Sequence, residues 1–351
     1  MTRTLLTALL VLALGAPALA APDPMPAGHT KIFIGQTSIT YVDEFARETR
    51  REPLGGMWYA AAYDQADIDA RMYEIAAALQ AHPGLEASLG LSLGSISTPE
   101  APRTAAIAAG VYDDALTELA TRLKQLPTTV FLRIGYEFDL LGGQYGPAEL
   151  YKAAYRHIVD LLRAQGVTNA VYVWHSAGAF WRATDQSFLG QAQGDYGAPV
   201  PAYDPQPITA FYPGRDYVDA FGISYWEDTC CFGRTSDGSR GLYETRTREI
   251  LDQAKALGLP IVIAESTPAN VGADAGKDSV AWLDQAFKLI EDYDIRVWSL
   301  ISMDWQDSSF FSQPFWNGYW PDARISHYPQ TRAAFLAHTA SQRYLFRDRR
   351  G

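Results

Sequence analysis

Cysteine is nearly absent from this chain. Two occur in 351 residues, side by side as Cys230-Cys231. A zinc site takes about four ligands from separate segments, so this pair alone cannot build one. In an oxidising compartment the two thiols can close as a vicinal disulfide, since neither has another partner within the chain. Two free buried thiols are the alternative. Basic residues are in deficit, 29 Lys and Arg against 40 Asp and Glu, for a net charge of −11. That balance argues against nucleic acid and anionic membrane as partners. After residue 20 no apolar run is long enough to span a bilayer. The chain has no glycine-rich phosphate cradle, no metal-ligand spacing and no Gly-x-Ser-x-Gly elbow. It also lacks internal repeats and low-complexity tracts. No cofactor and no metal are expected.

What is present begins with a leader. Met1-Thr2-Arg3 is followed by an almost wholly apolar run from Leu5 to Leu14 and then by Ala18-Leu19-Ala20. A basic start, a short apolar stretch and a small-residue site read as a secretory signal peptide over 1–20, cleaved after Ala20. No cysteine stands there for a lipid anchor. Residues 21–30 are rich in Pro and Gly and read as a linker. The remaining 331 residues (351 − 20) suit one large α/β domain, placed at 31–345. A secreted or periplasmic monomer is the expectation.

Along that domain, strand-like runs alternate with amphipathic helix-like runs. Strands are predicted over 31–35, 56–62, 87–93, 130–138, 170–175, 218–226, 260–265 and 296–303. Helices are predicted over 66–80, 113–126, 147–165, 243–257, 278–293 and 331–341. The helix at 147–165 has Pro147 in its first turn and stops at Gly166, as capping preferences require. Eight strands alternating with helices predict an α/β fold of one domain, a (β/α)8 TIM barrel. Two long connections, 181–216 and the aromatic segment from Trp305 to Trp320, would lie on the face where strands end. Long loops in a compact domain are usually functional or disordered.

Two strand-like runs end in a glutamate: Val130-Phe131-Leu132-Arg133-Ile134-Gly135-Tyr136-Glu137 and Ile261-Val262-Ile263-Ala264-Glu265. In a parallel barrel the C-terminal strand ends form the active face. A carboxylate pair there is what retaining glycoside hydrolysis needs: a protonated acid beside an ionised nucleophile, about 5 Å apart. Because alternate strand residues share a face, Arg133, Gly135 and Glu137 are expected to point into the barrel together. A buried arginine is costly unless paired, so Arg133 is expected to hydrogen-bond a carboxylate; a structural ion pair elsewhere is the alternative.

Glu137 and Glu265 fall on the fourth and seventh predicted strands. With Arg133, with Tyr225 in FGISYWED and with Trp305 in LISMDWQ, they make the chain resemble glycoside hydrolase family 26, the β-mannanase type of the retaining (β/α)8 clan. The resemblance implies that Glu137 is the acid/base and Glu265 the nucleophile. It also implies that Tyr225 hydrogen-bonds the nucleophile and that Trp305 floors the sugar site at the scissile bond. Histidine or asparagine usually precedes the acid/base in that clan, whereas this chain has Tyr136. Tyr136 is expected to grip sugar with a different reach.

Other residues carry two readings. Trp174 and His175 either line a sugar subsite or are a packed aromatic and a satisfied histidine. Trp58 and Tyr59 are platforms or core. Trp226 opens the loop that holds the cysteines. Asp139 and Asp304 bind sugar hydroxyls or cap the next element. The sequence therefore predicts a secreted retaining endo-β-glycosidase acting on a polysaccharide or oligosaccharide, β-mannan first and β-glucan or xylan next. The alternative is a non-catalytic polysaccharide-binding barrel.

Overall fold

The computed structural model describes residues 23–36, 38–94, 103–140, 143–178, 207–226, 241–269, 275–309, 312 and 320–347. The predicted leader over 1–20 and Cys230-Cys231 lie outside them. Eight parallel strands close into a barrel: β1 (Thr30–Ile34), β3 (Gly55–Ala61), β4 (Glu86–Ser92), β5 (Val130–Ile134), β6 (Ala170–Ser176), β7 (Ala220–Tyr225), β8 (Ile261–Ser266) and β9 (Val297–Leu300). Closure comes from β1 pairing with β9, Lys31 to Val297 through Ile34 to Leu300. The fold is the predicted (β/α)8 TIM barrel. No helix among the described residues is long and apolar enough to cross a membrane.

Both faces of each strand are buried, which is why the runs are apolar throughout rather than alternating. Inside, Phe33, Phe131, Val171, Val173, Ala220, Val262, Ala264 and Val297 pack together, with Met25 joining them from ahead of β1. Outside, Ile32, Leu132, Trp174, Phe221, Ile263 and Trp298 meet the helices. Each such side chain contributes roughly 1.5–3 kcal/mol on burial. Low in the barrel, Lys31 donates to both oxygens of Glu86, at 2.6 and 2.8 Å.

The helices are α1 (Ile39–Thr49), α2 (Gln65–Ala81), α3 (Thr104–Ala108), α4 (Asp113–Gln125), α5 (Ala148–Ala164), α6 (Gly241–Ala256), α7 (Ala275–Tyr293) and α8 (Pro329–His338). Pro147 stands at the N-cap of α5 and Gly166 follows it at φ +78°, the stop that the sequence signalled. Helix α1 was not predicted. Its buried residues Val42, Phe45, Ala46 and Thr49 are helically spaced, and Ser38 caps it. It ends on Arg50 at φ +58° rather than on a glycine, which hid its boundary. The short strands β2 (Glu52–Pro53) and β10 (Tyr344–Arg347) pair with each other, and β10 also pairs with β1, extending the sheet past the predicted end at 345.

Candidate active site

The fourth barrel strand is shorter than predicted. β5 stops at Ile134, and 135–139 form a turn in which Gly135 has φ +55° and Glu137 φ +53°. The left-handed region suits glycine and strains glutamate. A side chain at 135 would also collide with Tyr151 at 2.7 Å and Leu93 at 2.9 Å. Glu137 therefore reaches the site from a turn, and the expected alternation with Arg133 and Gly135 is corrected. The turn is tied down from outside. Gln144 Nε2 donates to the carbonyls of Tyr136 (2.9 Å) and Glu137 (2.7 Å), Tyr145 Oη donates to that of Tyr136 (2.9 Å), and Phe138 N donates to that of His175 (3.2 Å).

Glu265 also depends on a break in regularity. Ile223 pairs with Ile263, but Ser224 pairs with Glu265, so Ala264 is an extra residue in the β7–β8 ladder. Val262 and Ala264 both face the barrel interior. Strict alternation would turn Glu265 outward; the bulge turns it in, a recurrent use of bulges beside active sites. There Arg133 Nη1 donates to Glu265 Oε1 in a buried ion pair. The guanidinium carbon lies 4.8 Å from the Tyr59 ring and 5.6 Å from that of Tyr136, within cation–π range. Gly90 makes room for this stack, since a Cβ there would meet Tyr59, Arg133 and Tyr136 at 2.7–3.1 Å.

The two carboxyls have unlike surroundings. Burial and the nearby Glu265 push Glu137 up to about 8, against the opposing hydrogen bond from Ser224 Oγ to its Oε1 at 2.6 Å. Glu265 has an arginine as its direct partner. Behind Ser224, His175 Nε2 lies 3.0 Å from the serine oxygen, and burial with the Arg133 charge keeps the imidazole neutral. Asp139 accepts from Ser176 Oγ and Ala177 N, both at 2.6 Å, and burial pushes it up to about 6. It ties the turn after β5 to the end of β6 rather than capping a helix.

Among the other predicted residues, Trp174 is corrected. It turns outward and stacks on Phe138 at 5.1 Å and 7°, with Tyr212 and Phe221 also against it, so it is core. His175 points inward but is fully buried beneath Ser224. Tyr136 is half-buried at the mouth, its ring 5.4 Å from that of Tyr59. Trp58 is outer core, while Tyr59 belongs to the site. Tyr225 ends β7 beside Ser266, with its ring 5.6 Å from that of Trp282. Trp305 donates through Nε1 to Thr267 Oγ1 at 3.2 Å, two residues beyond Glu265. Its ring lies 5.1 Å from Trp320, which stands 5.7 Å from Trp226, and these form an aromatic wall. Asp304 caps the short helical turn that begins at Trp305. The proposed disulfide Cys230–Cys231 is outside the described residues.

Sequence reasoning missed Ser224 and Gln144, and marked Trp320 only as the end of an aromatic segment. Ser224 was a polar residue in the otherwise apolar run from Phe221 to Trp226, a signal that went unused.

No protein-family model matches the chain. A β-1,3-xylanase of a Vibrio species is 24% identical over 244 residues, 64% of this chain and 46% of that protein. Endoglucanase H of Acetivibrio thermocellus is 25% identical over 193 residues, 52% of this chain and 18% of its own length. The chain thus spans less than half the length of these curated relatives. A GH26 β-mannanase from Bacteroides ovatus superposes with TM-score 0.55 at 15% identity, covering 91% of this chain and 90% of that one, a likeness of fold.

Proposed function

We propose that this chain is a divergent family 26-type glycoside hydrolase that cleaves a β-linked polysaccharide with retention, as a secreted or periplasmic enzyme. The observation that carries the reading is the unlike pair at the barrel mouth. Glu137 is pushed up to about 8, so it holds its proton at neutral pH, while Glu265 sits in an ion pair with Arg133. Two carboxyls in such unlike surroundings can divide the labour of acid and nucleophile.

In the first step the Glu265 carboxylate attacks the anomeric carbon as the glycosidic bond breaks, and Glu137 gives its proton to the departing oxygen. The result is a glycosyl ester on Glu265. In the second step Glu137, now a carboxylate, takes a proton from water, which displaces Glu265 at the same carbon. Tyr225 would hydrogen-bond the nucleophile. Trp226 and Trp320, both half-buried, offer flat apolar faces for sugar rings, and the buried Trp305 ring backs Trp320.

For the substrate class, the named relatives act on different polymers, which supports a β-glycan and leaves the order mannan, then glucan or xylan. Endo action is part of the proposal. The test is hydrolysis of a polysaccharide panel with product sizing and proton NMR of early products. Retained anomers and falling polymer length support the reading; inverted products or no hydrolysis of any β-glycan refute it.

A further inference from the structure

We infer that Ser224 and His175 form a buried positioning relay that fixes the Glu137 carboxyl, so that Oε2 is the oxygen carrying the transferred proton. The inference rests on the reading of Glu137 as acid/base. Three observations support it. The Ser224 hydroxyl lies 2.6 Å from Glu137 Oε1, His175 Nε2 lies 3.0 Å from that hydroxyl, and both residues are fully buried.

The direction of donation follows from a count of protons. A serine hydroxyl has one proton. Given to Glu137, it leaves the serine oxygen to accept from His175, which must then carry its proton on Nε2. The opposite direction would put the imidazole proton on Nδ1, and Nδ1 is buried without a hydrogen-bond partner. An unmade buried N–H is the costlier vacancy. Neutral His175, as the Nε2–H form, therefore donates to Ser224, and Ser224 donates to Oε1. Oε1 accepts in both protonation states of Glu137, and the proton that moves to the leaving oxygen, or comes from water, travels through Oε2.

The charged and titratable groups facing Glu137 are Glu265 on β8, Asp139 and Tyr136 in its own turn, Arg133 on β5 and Tyr145 ahead of α5, with neutral His175 on β6 behind Ser224 on β7. Ser224 opposes the upward push of burial, because its hydrogen bond favours the anion.

Ser224→Ala in the full-length protein is expected to lower kcat on polysaccharide about 10- to 100-fold with KM within about twofold, the mark of misaimed chemistry. Its basic pH limb should move to higher pH. Ser224→Thr should restore both. His175→Phe should act in the same direction, more weakly, and serves if Ser224→Ala does not fold. Carbon-13 NMR of glutamate-labelled protein reads the Glu137 midpoint without turnover: higher in Ser224→Ala, wild-type-like in Ser224→Thr. A Ser224→Ala protein with wild-type limb and midpoint overturns the relay, as does a folded Ser224→Thr protein that restores neither. Glu137→Gln separates the two readings. If it still hydrolyses polysaccharide while the NMR midpoint moves as expected, the acid/base assignment fails and the hydrogen-bonded pair stands. If it is inactive while the Ser224→Ala midpoint stays put, only the relay fails.

Discussion

The Arg133 guanidinium, rooted on the fourth barrel strand, donates to the Glu265 carboxylate on the seventh, and the pair is buried at the centre of the barrel's C-terminal end. Removing one partner of a buried ion pair strands the other charge. Arg133→Met is therefore expected to cost roughly 3–5 kcal/mol of folding stability, read by chemical denaturation. Activity should vanish as well. Arg133→Lys keeps the charge but not the planar fork, and should retain more stability than activity. Unchanged stability in Arg133→Met would show that the pair holds nothing together.

Glu265→Ala should lower turnover by a factor on the order of 10⁴ or more, as removal of a nucleophile does. Azide should restore part of the rate and yield a glycosyl azide of inverted anomeric configuration. Near-wild-type turnover would remove Glu265 from the nucleophile's role. Glu137→Ala should lose about 10²–10⁴ on polysaccharide and much less on an aryl glycoside whose leaving group needs no proton. An equal loss on both substrates would assign Glu137 to binding.

The strands, and the two glutamates at their ends, were legible because runs buried on both faces leave an uninterrupted apolar signature. What aims the glutamates was not. The expected alternation from Arg133 to Glu137 fails at Gly135, where a left-handed turn replaces the strand. The bulge at Ala264 has no mark in the local sequence, since it exists only in the pairing of β8 with β7. Ser224 acts on a side chain 87 residues away and Gln144 on carbonyls 8 and 7 residues away, contacts that no periodicity encodes. Trp174 read equally well as platform or core, because strand position alone does not tell which barrel face a tryptophan takes.

The raised Glu137 carboxyl has consequences for both rate and stability. As the acid it must be protonated, so kcat/KM is expected to fall as pH rises through about 8. The folded protein binds this proton more tightly than the unfolded chain, whose glutamate titrates near the ordinary 4.5. The stabilising contribution is complete below that value and is lost as pH climbs to about 8. Glu137→Gln removes the titration. Its Tm should exceed that of wild type by roughly 2 °C or more at pH 8, with the gap shrinking toward pH 5. A gap independent of pH, measured by calorimetry across that range, would mean that Glu137 is not held neutral by the fold.

Glu137 is a glutamate held at φ +53°, a conformation that costs of order 1 kcal/mol and persists only where neighbours impose it. The imposing group is Gln144, whose amide nitrogen bridges the carbonyls of Tyr136 and Glu137, assisted by the Tyr145 hydroxyl. Each such hydrogen bond contributes about 0.5–1.5 kcal/mol. Gln144→Ala should relax the turn, lowering kcat about tenfold or more through misplacement of the acid while Glu265 stays in its ion pair. Gln144→Glu is nearly the same size but sets a carboxylate oxygen against two carbonyl oxygens, so it should be the more damaging of the two. The loss should fall on polysaccharide more than on activated aryl glycosides, as for Glu137→Ala and at smaller amplitude, because the same proton transfer is impaired. Steady-state kinetics on both substrate types checks this, and an equal loss on the two, or none in Gln144→Glu, would separate Gln144 from the aiming of the acid.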